Sequence, residues 1–162
     1  MDSIASEEMD NEADDTELEQ VDDYDPFALY YDLHYQKLTV DLDFYREMAR
    51  RVGAKARVLE LACGAGRLAL PLLQAGFRVT GLDVSANMLD IARKKVAAEP
   101  PELAQRSRFL QGDMRDLDAA LGNEEFDLIF IGANSFQHLL TQEDQLACLR
   151  SARRHLAPAG LF

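Results

Sequence analysis

Residues 59–70 read LELACGAGRLAL, an apolar run that ends in two glycines one residue apart. Glycine costs backbone entropy and fills no volume, so a pair against a buried strand marks a place where the backbone must turn sharply or lie bare. Working outward, RVLEL at 57–61 is a short buried strand, and a helix follows the glycines to about Gln74. Pro71 lies close enough to that helix's start for its missing N–H to cost little. FRVTGLD (77–83) is a second strand, and SANMLDIARKKVAAE (85–99) a helix capped by Ser85 and ended by Pro100 and Pro101. SRFLQGD (107–113) is a third strand, and FDLIFIGA (126–133) is a near-continuous apolar fourth, suited to burial on both faces.

Upstream, Leu38, Leu42, Tyr45, Met48 and Val52 recur at helical spacing until Gly53 stops the run. Downstream, TQEDQLACLRSARRHL (141–156) opens on Thr141 with an acid three residues on, a capping box, and sets positions 146, 149, 152 and 156 on one apolar face. A PAG turn follows, and the closing LF starts a strand it does not complete. Strands alternating with helices predict an α/β fold: a doubly wound, Rossmann-like parallel sheet with helices on both faces.

The net charge of −12 is unevenly placed. Residues 1–25 hold twelve Asp or Glu and no Lys or Arg, while residues 26–162 balance 17 acids against 17 bases. A stretch of that composition is expected to be a disordered acidic tail, a solubilising extension or an arm for a basic partner, preceding a folded domain at 26–162. The neutral body has no basic face of the kind nucleic-acid binding requires. No run approaches the roughly 18 apolar residues of a membrane span, and no export signal opens the chain. Cys63 and Cys148 follow no disulfide or zinc pattern, so a reducing cytoplasm is the expected compartment.

In such sheets ligands bind at the carboxyl ends of the strands, and the turn after the first strand is the usual seat. Gly64 and Gly66 would let a ligand approach the backbone there, and the following helix start offers N–H groups to a negative group. Asp83 ends strand two, where a carboxylate accepts hydrogen bonds from ribose hydroxyls. A nicotinamide dinucleotide also uses Gly-x-Gly-x-x-Gly/Ala followed by an acid, and Gly64, Gly66 and Ala69 satisfy that spacing. Glu60, however, would set an anion beside the pyrophosphate. It suits S-adenosylmethionine, which carries an amine for Glu60, a carboxylate for the helix start and a ribose for Asp83.

With those residues in view, the sequence from about Tyr30 to Phe162 resembles the class I S-adenosylmethionine-dependent methyltransferases, in their small-molecule group. VLELACGAGRLALPLLQAG (58–76) is similar to the family's first motif, with Ala62 where many members have a further glycine. VTGLDVSANMLDIARKK (79–95) resembles the second, and FLQGDMRDL (109–117) the third. FDLIFIGANSFQHLL (126–140) resembles the fourth strand and the segment that borders methionine and substrate. The resemblance implies S-adenosylmethionine as cofactor and a small-molecule methyl acceptor at N or O. It also implies that Asp113 takes the adenine amino group and the Met114 N–H a ring nitrogen. LYYDLHY (29–35) resembles a Tyr-Asp segment that some members fold over the cofactor, which makes Tyr31 a candidate contact. Arg67 is a candidate for the cofactor carboxylate or a solvated helix residue. His138, just after strand four, is the candidate acid–base group, and Cys63 reads as buried filler. The Asn-Pro-Pro-Tyr motif of nucleic-acid adenine methylases is absent; Ala133-Asn134-Ser135-Phe136 stands there.

Two alternatives remain open at this point. One is a non-catalytic, cofactor- or partner-binding relic of the fold; the other, disfavoured by Glu60, is an NAD-dependent oxidoreductase. The chain is expected to be C-terminally incomplete at strand five. That would leave strand four as a sheet edge open to self-association.

Overall fold

The computed structural model describes residues 28–35 and 37–162, with the side chains of Leu29 and Tyr31 excepted. The acidic stretch at 1–25 and the Tyr31 side chain therefore lie outside the described residues. Five parallel strands form one sheet in the order β3-β2-β1-β4-β5. They are β1 (Arg57–Leu61), β2 (Arg78–Asp83), β3 (Ser107–Gln111), β4 (Phe126–Ile131) and β5 (Leu156–Leu161). Chain order runs outward one way from β1 through β2 to β3, then jumps to β4 on β1's other side. The order thus reverses between β1 and β4, which opens a crevice at their carboxyl ends.

One face of the sheet is covered by α2 (Leu42–Val52), α3 (Ala69–Gln74), α4 (Ala86–Ala97) and α5 (Pro101–Ala104). Ala49, Leu72, Leu73, Leu89, Ala92 and Val96 pack there on Val58, Val79, Phe109 and Leu128. The other face carries α6 (Asp118–Leu121) and α7 (Gln142–Arg154), with Leu121, Cys148 and Ala152 on Leu59, Leu61, Leu82 and Ile129. Side-chain alternation along β1 sends Leu59 and Leu61 into that second cluster and Val58 into the first. Glu60 therefore shares Val58's face, yet lies at the strand end where the helices no longer close over it. A short α1 (Ala28–Tyr35) rests across the crevice, with Ala28 buried against Ala65 and Met88.

The predicted helix at 38–52 forms from Leu42, and Leu42, Tyr45, Met48 and Val52 pack on the core as the spacing required. Ser85 caps α4 by accepting from the Met88 N–H at 3.2 Å, and Thr141 caps α7 by accepting from Asp144 N–H at 3.1 Å.

Two expectations are corrected. The buried face of α7 is Cys148, Ser151 and Ala152, whereas Leu146 and Leu149 are exposed. Close seating on the sheet takes small side chains, and the buried Ser151 is satisfied because its hydroxyl accepts the Leu117 N–H at 2.9 Å. A pattern of large apolar residues could not register that. The second correction concerns the C-terminal edge. LAPAGL is strand β5, paired in parallel with β4 at Phe126↔Leu156 and Leu128↔Leu161 across an irregularity. Strand β4 is thus interior, and the uncovered edge on that side of the sheet is β5. Pro158 and Gly160 disguise β5 in the sequence, since proline fits a strand only where its missing N–H faces no partner, as on an edge.

Candidate active site

The crevice holds a cavity of about 580 Å³, within the range of small-ligand pockets. Glu60, Gly64, Asp83, Asp113, Met114 and His138 all line it, so the fold gathers these sequence candidates at the ends of four strands.

The two glycines divide their work. Gly64 has φ +52° and nothing within 4 Å of where a Cβ would sit, so its bare backbone faces open space. Gly66 has φ +75°, and an added Cβ would lie 3.2 Å from the Ala92 Cβ. Gly66 thus lets the turn close onto α4. Ala62, at φ +53°, occupies a left-handed conformation that favours glycine, and Ala133 does the same at φ +50° after β4. Both line the cavity, so its walls are pinned in less favoured backbone geometry by the packing around them.

Asp83 is buried and held by backbone. Its Oδ2 accepts the Gly64 N–H at 2.7 Å, and its Oδ1 accepts the Ser85 N–H at 3.0 Å. These bonds set the carboxylate plane and tie the end of β2 to the glycine turn. Glu60 differs. It is buried to 3 % exposure, and its Oε2 has no hydrogen-bond partner among the described residues. Burial pushes its carboxyl well above the usual range and Asp83 adds repulsion; the Arg67 charge and the Ala69 backbone act the other way without prevailing. A carboxyl group without a partner on one oxygen in a low-dielectric wall is driven toward its ionised form by a cation placed beside it.

At Asp113, burial favours the neutral acid, but the Arg115 side-chain and backbone hydrogen bonds and the Arg115 charge outweigh it and hold the carboxyl below its ordinary value. Cys63 is buried, and desolvation, then Glu60 and Asp83, push its thiol well up. That is the inert filler the sequence implied. His138 sits exposed on the 3₁₀ turn at Ser135–His138 that borders the cavity.

Arg67 lines the cavity and is also tied to α2. Its guanidinium donates to both Asp41 oxygens, at 2.6 and 2.8 Å, and to the Leu38 carbonyl at 2.9 Å. This fork pins the start of α2 to the glycine turn, and the hydrogen bonds, ahead of the Arg67 charge, keep Asp41 acidic. It is neither a solvated helix arginine nor a group turned wholly to a ligand. The 26-residue separation left no local sign of the pair.

Three further residues went unread in the sequence. Gly81 admits no Cβ, which would meet the Cys63 Sγ at 2.7 Å and Phe109 Cδ1 at 2.8 Å, so the turn after β1 settles onto β2 only because position 81 is bare. On α1, Asp32 pairs with Lys95 of α4, whose ammonium also donates to the Ala65 carbonyl at 3.2 Å. The acid of the Tyr-Asp segment, rather than its tyrosine, is the residue whose contact is described.

Residues 58–160 match the family described as "Methyltransferase domain", most of the chain. The chain belongs to that family.

A Bacillus subtilis (strain 168) protein, YqeM, a methyltransferase by name, is 35% identical over 139 residues, covering 86% of this chain and 53% of its own length. The ubiquinone biosynthesis O-methyltransferase of Actinobacillus pleuropneumoniae serotype 7 (strain AP76) is 28% identical over 157 residues, covering 94% of this chain and 64% of its own. Among solved structures, the glycopeptide N-methyltransferase MtfA complexed with S-adenosyl-L-methionine superposes with a TM-score of 0.65 at 36% identity. That match covers 74% of this chain and 47% of MtfA. The chain spans about half the length of the first curated relatives it matches. N- and O-methyltransferases both occur among them. The cofactor of this family is S-adenosylmethionine, and the cavity fits it: a partnerless buried carboxylate oxygen for an ammonium, a bare turn, and an oriented acid at the end of β2. No helix among the described residues is long and apolar enough to cross a membrane.

Proposed function

We propose that this domain binds S-adenosylmethionine in the crevice between β1 and β4 and supports methyl transfer to an N or O atom of a small molecule. The observation that carries the reading is Glu60. A buried carboxyl group in the cavity lining, without a partner on one oxygen among the described residues, gains most from a ligand with a fixed positive charge. A dinucleotide would bring its pyrophosphate to the same turn and meet repulsion instead.

In this reading Glu60 receives the ammonium of the methionine moiety, and Gly64 leaves room for the methionine backbone beside the turn. Asp83, its plane set by Gly64 and Ser85, accepts from the ribose hydroxyls. Asp113 and the Met114 N–H read the adenine edge. Gly66 supports the site by letting the turn pack on α4, and Arg67 supports it by holding α2. Tyr31 is carried forward as a contact from α1. The bound sulfonium supplies an already activated methyl group. What remains for the protein is to align an acceptor with it and to exclude water. In the same reading His138 removes a proton from an acceptor that arrives protonated.

Parallel titration of the chain with S-adenosylmethionine, S-adenosylhomocysteine and NADH tests this directly. Micromolar binding of the two sulfur ligands and none of NADH is the expected result; tighter NADH binding would overturn it. A second reading, a cofactor-binding module without turnover, draws on the acceptor side, where Ala133, Asn134, His138 and Leu140 are all exposed. Methyl transfer to a panel of amines and phenols separates it from the first.

A further inference from the structure

We propose that Arg115 is a positioning residue that turns Asp113 into a one-oxygen acceptor for the adenine amino group; this rests on the reading of Asp113 given above. A carboxylate offers about four acceptor positions. At Asp113, the Oδ2 accepts two bonds from the Arg115 side chain, from Nε at 2.8 Å and from Nη2 at 2.6 Å, which fills that oxygen. Among the described residues the Oδ1 accepts only the Arg115 backbone N–H, at 2.8 Å, and so keeps an acceptor position, and both residues line the cavity. Arg115 thereby decides which oxygen a ligand meets and in what plane.

The guanidinium cannot swing away from this duty, because its remaining arm is anchored. Nη1 donates to the Asp144 Oδ1 at 2.8 Å, and Asp144 Oδ2 in turn accepts from the Thr141 hydroxyl at 2.6 Å, at the capped start of α7. Asp144 and Thr141 line the same cavity, on the side that follows β4. The one arginine therefore braces the loop after β3 against the loop before α7. A planar fork holds both acids with donors at fixed angles; an ammonium, with three rotatable donors on one atom, fixes the plane of neither.

The experiment measures the affinity ratio of S-adenosylhomocysteine to its 6-deamino purine analogue, which lacks only the 6-amino group and keeps the ring nitrogens as acceptors. The native chain is expected to prefer the adenosyl ligand by about tenfold or more, the worth of a hydrogen bond to a charged group. Arg115→Met is expected to bring the ratio to within about threefold of unity, as the carboxylate loses its orientation. Arg115→Lys is expected to give an intermediate ratio, and it decides the matter alone if the methionine variant does not fold. A native ratio in either folded variant, with both affinities falling together, overturns the proposal, since a merely structural residue would act so. Asp113→Asn separates the two levels. If it leaves the native ratio intact, the adenine reading of Asp113 fails; if it collapses the ratio while the Arg115 variants do not, only the present inference fails.

Discussion

The carboxyl ends of β1 and β2 and the carboxyl end of β4 face the same cavity but are built differently. On the β1–β2 side the walls are buried and bound by backbone: Asp83 by two N–H groups, the turn by Gly66 against Ala92, the strand crossing by Gly81 against Cys63. On the β4 side the wall is a left-handed alanine, a short 3₁₀ turn and side chains such as Leu140, 85% exposed. One side is pre-organised for a ligand of fixed shape; the other is a set of loop positions that can vary without disturbing the sheet. That difference explains why the chain resembles both N- and O-methyltransferases while its own acceptor stays undetermined by its core.

The largest effect that would break this contrast is at Asp83. Asp83→Ala removes an acceptor from two backbone N–H groups and, in the proposed reading, from the ribose. Cofactor affinity is expected to fall by about 1.5–3 kcal/mol. His138→Asn, on the open side, is expected to leave that affinity within about twofold and to lower turnover. Calorimetry on both variants decides; equal losses would mean the two sides are not distinct.

Next in size is Glu60. Its carboxyl is raised in the folded chain, chiefly by burial, so the native state holds the proton more tightly than the unfolded one. The stability this confers is complete below about 4.5, the ordinary glutamate value, and is lost as pH rises from there toward the raised value. Without cofactor, Glu60→Gln is therefore expected to melt higher than the native chain at neutral pH, by on the order of 1–2 kcal/mol, with the gap closing in acid. The same variant is expected to bind S-adenosylmethionine and S-adenosylhomocysteine more weakly, since both carry the amine. Melting across pH 4–8, with and without ligand, checks both signs.

Smaller still is Gly64→Ala. The φ of +52° costs an L-residue about 1 kcal/mol, and the added methyl projects into open space rather than into packing. A fall of that size in stability, together with weaker cofactor binding, sharpens the view that Gly64 is bare for a ligand. Unchanged binding would assign it to the turn alone. The least change is expected at Ala62→Gly, where relief of the left-handed strain exceeds the entropy gained by the unfolded chain by less than about 1 kcal/mol. Denaturant unfolding resolves that difference.

What the sequence determined by itself was everything written in short-range pattern. RVLEL, the glycine pair and the Ser85 and Thr141 caps fall where their local chemistry puts them. Because a parallel sheet aligns its strand ends, Glu60, Asp83 and Asp113 were bound to converge once the strands were read. The tertiary structure alone decided the rest. Arg67 turned to Asp41, 26 residues away, and Arg115 joined Asp113 to Asp144, 29 residues beyond the arginine. The face of α7 was set by Ser151 and Cys148 rather than by its leucines, and LAPAGL became a strand because β4 had hydrogen bonds to share. Charged forks, close helix seating and edge pairing depend on which surfaces meet in space, and residue spacing along a chain carries no record of that.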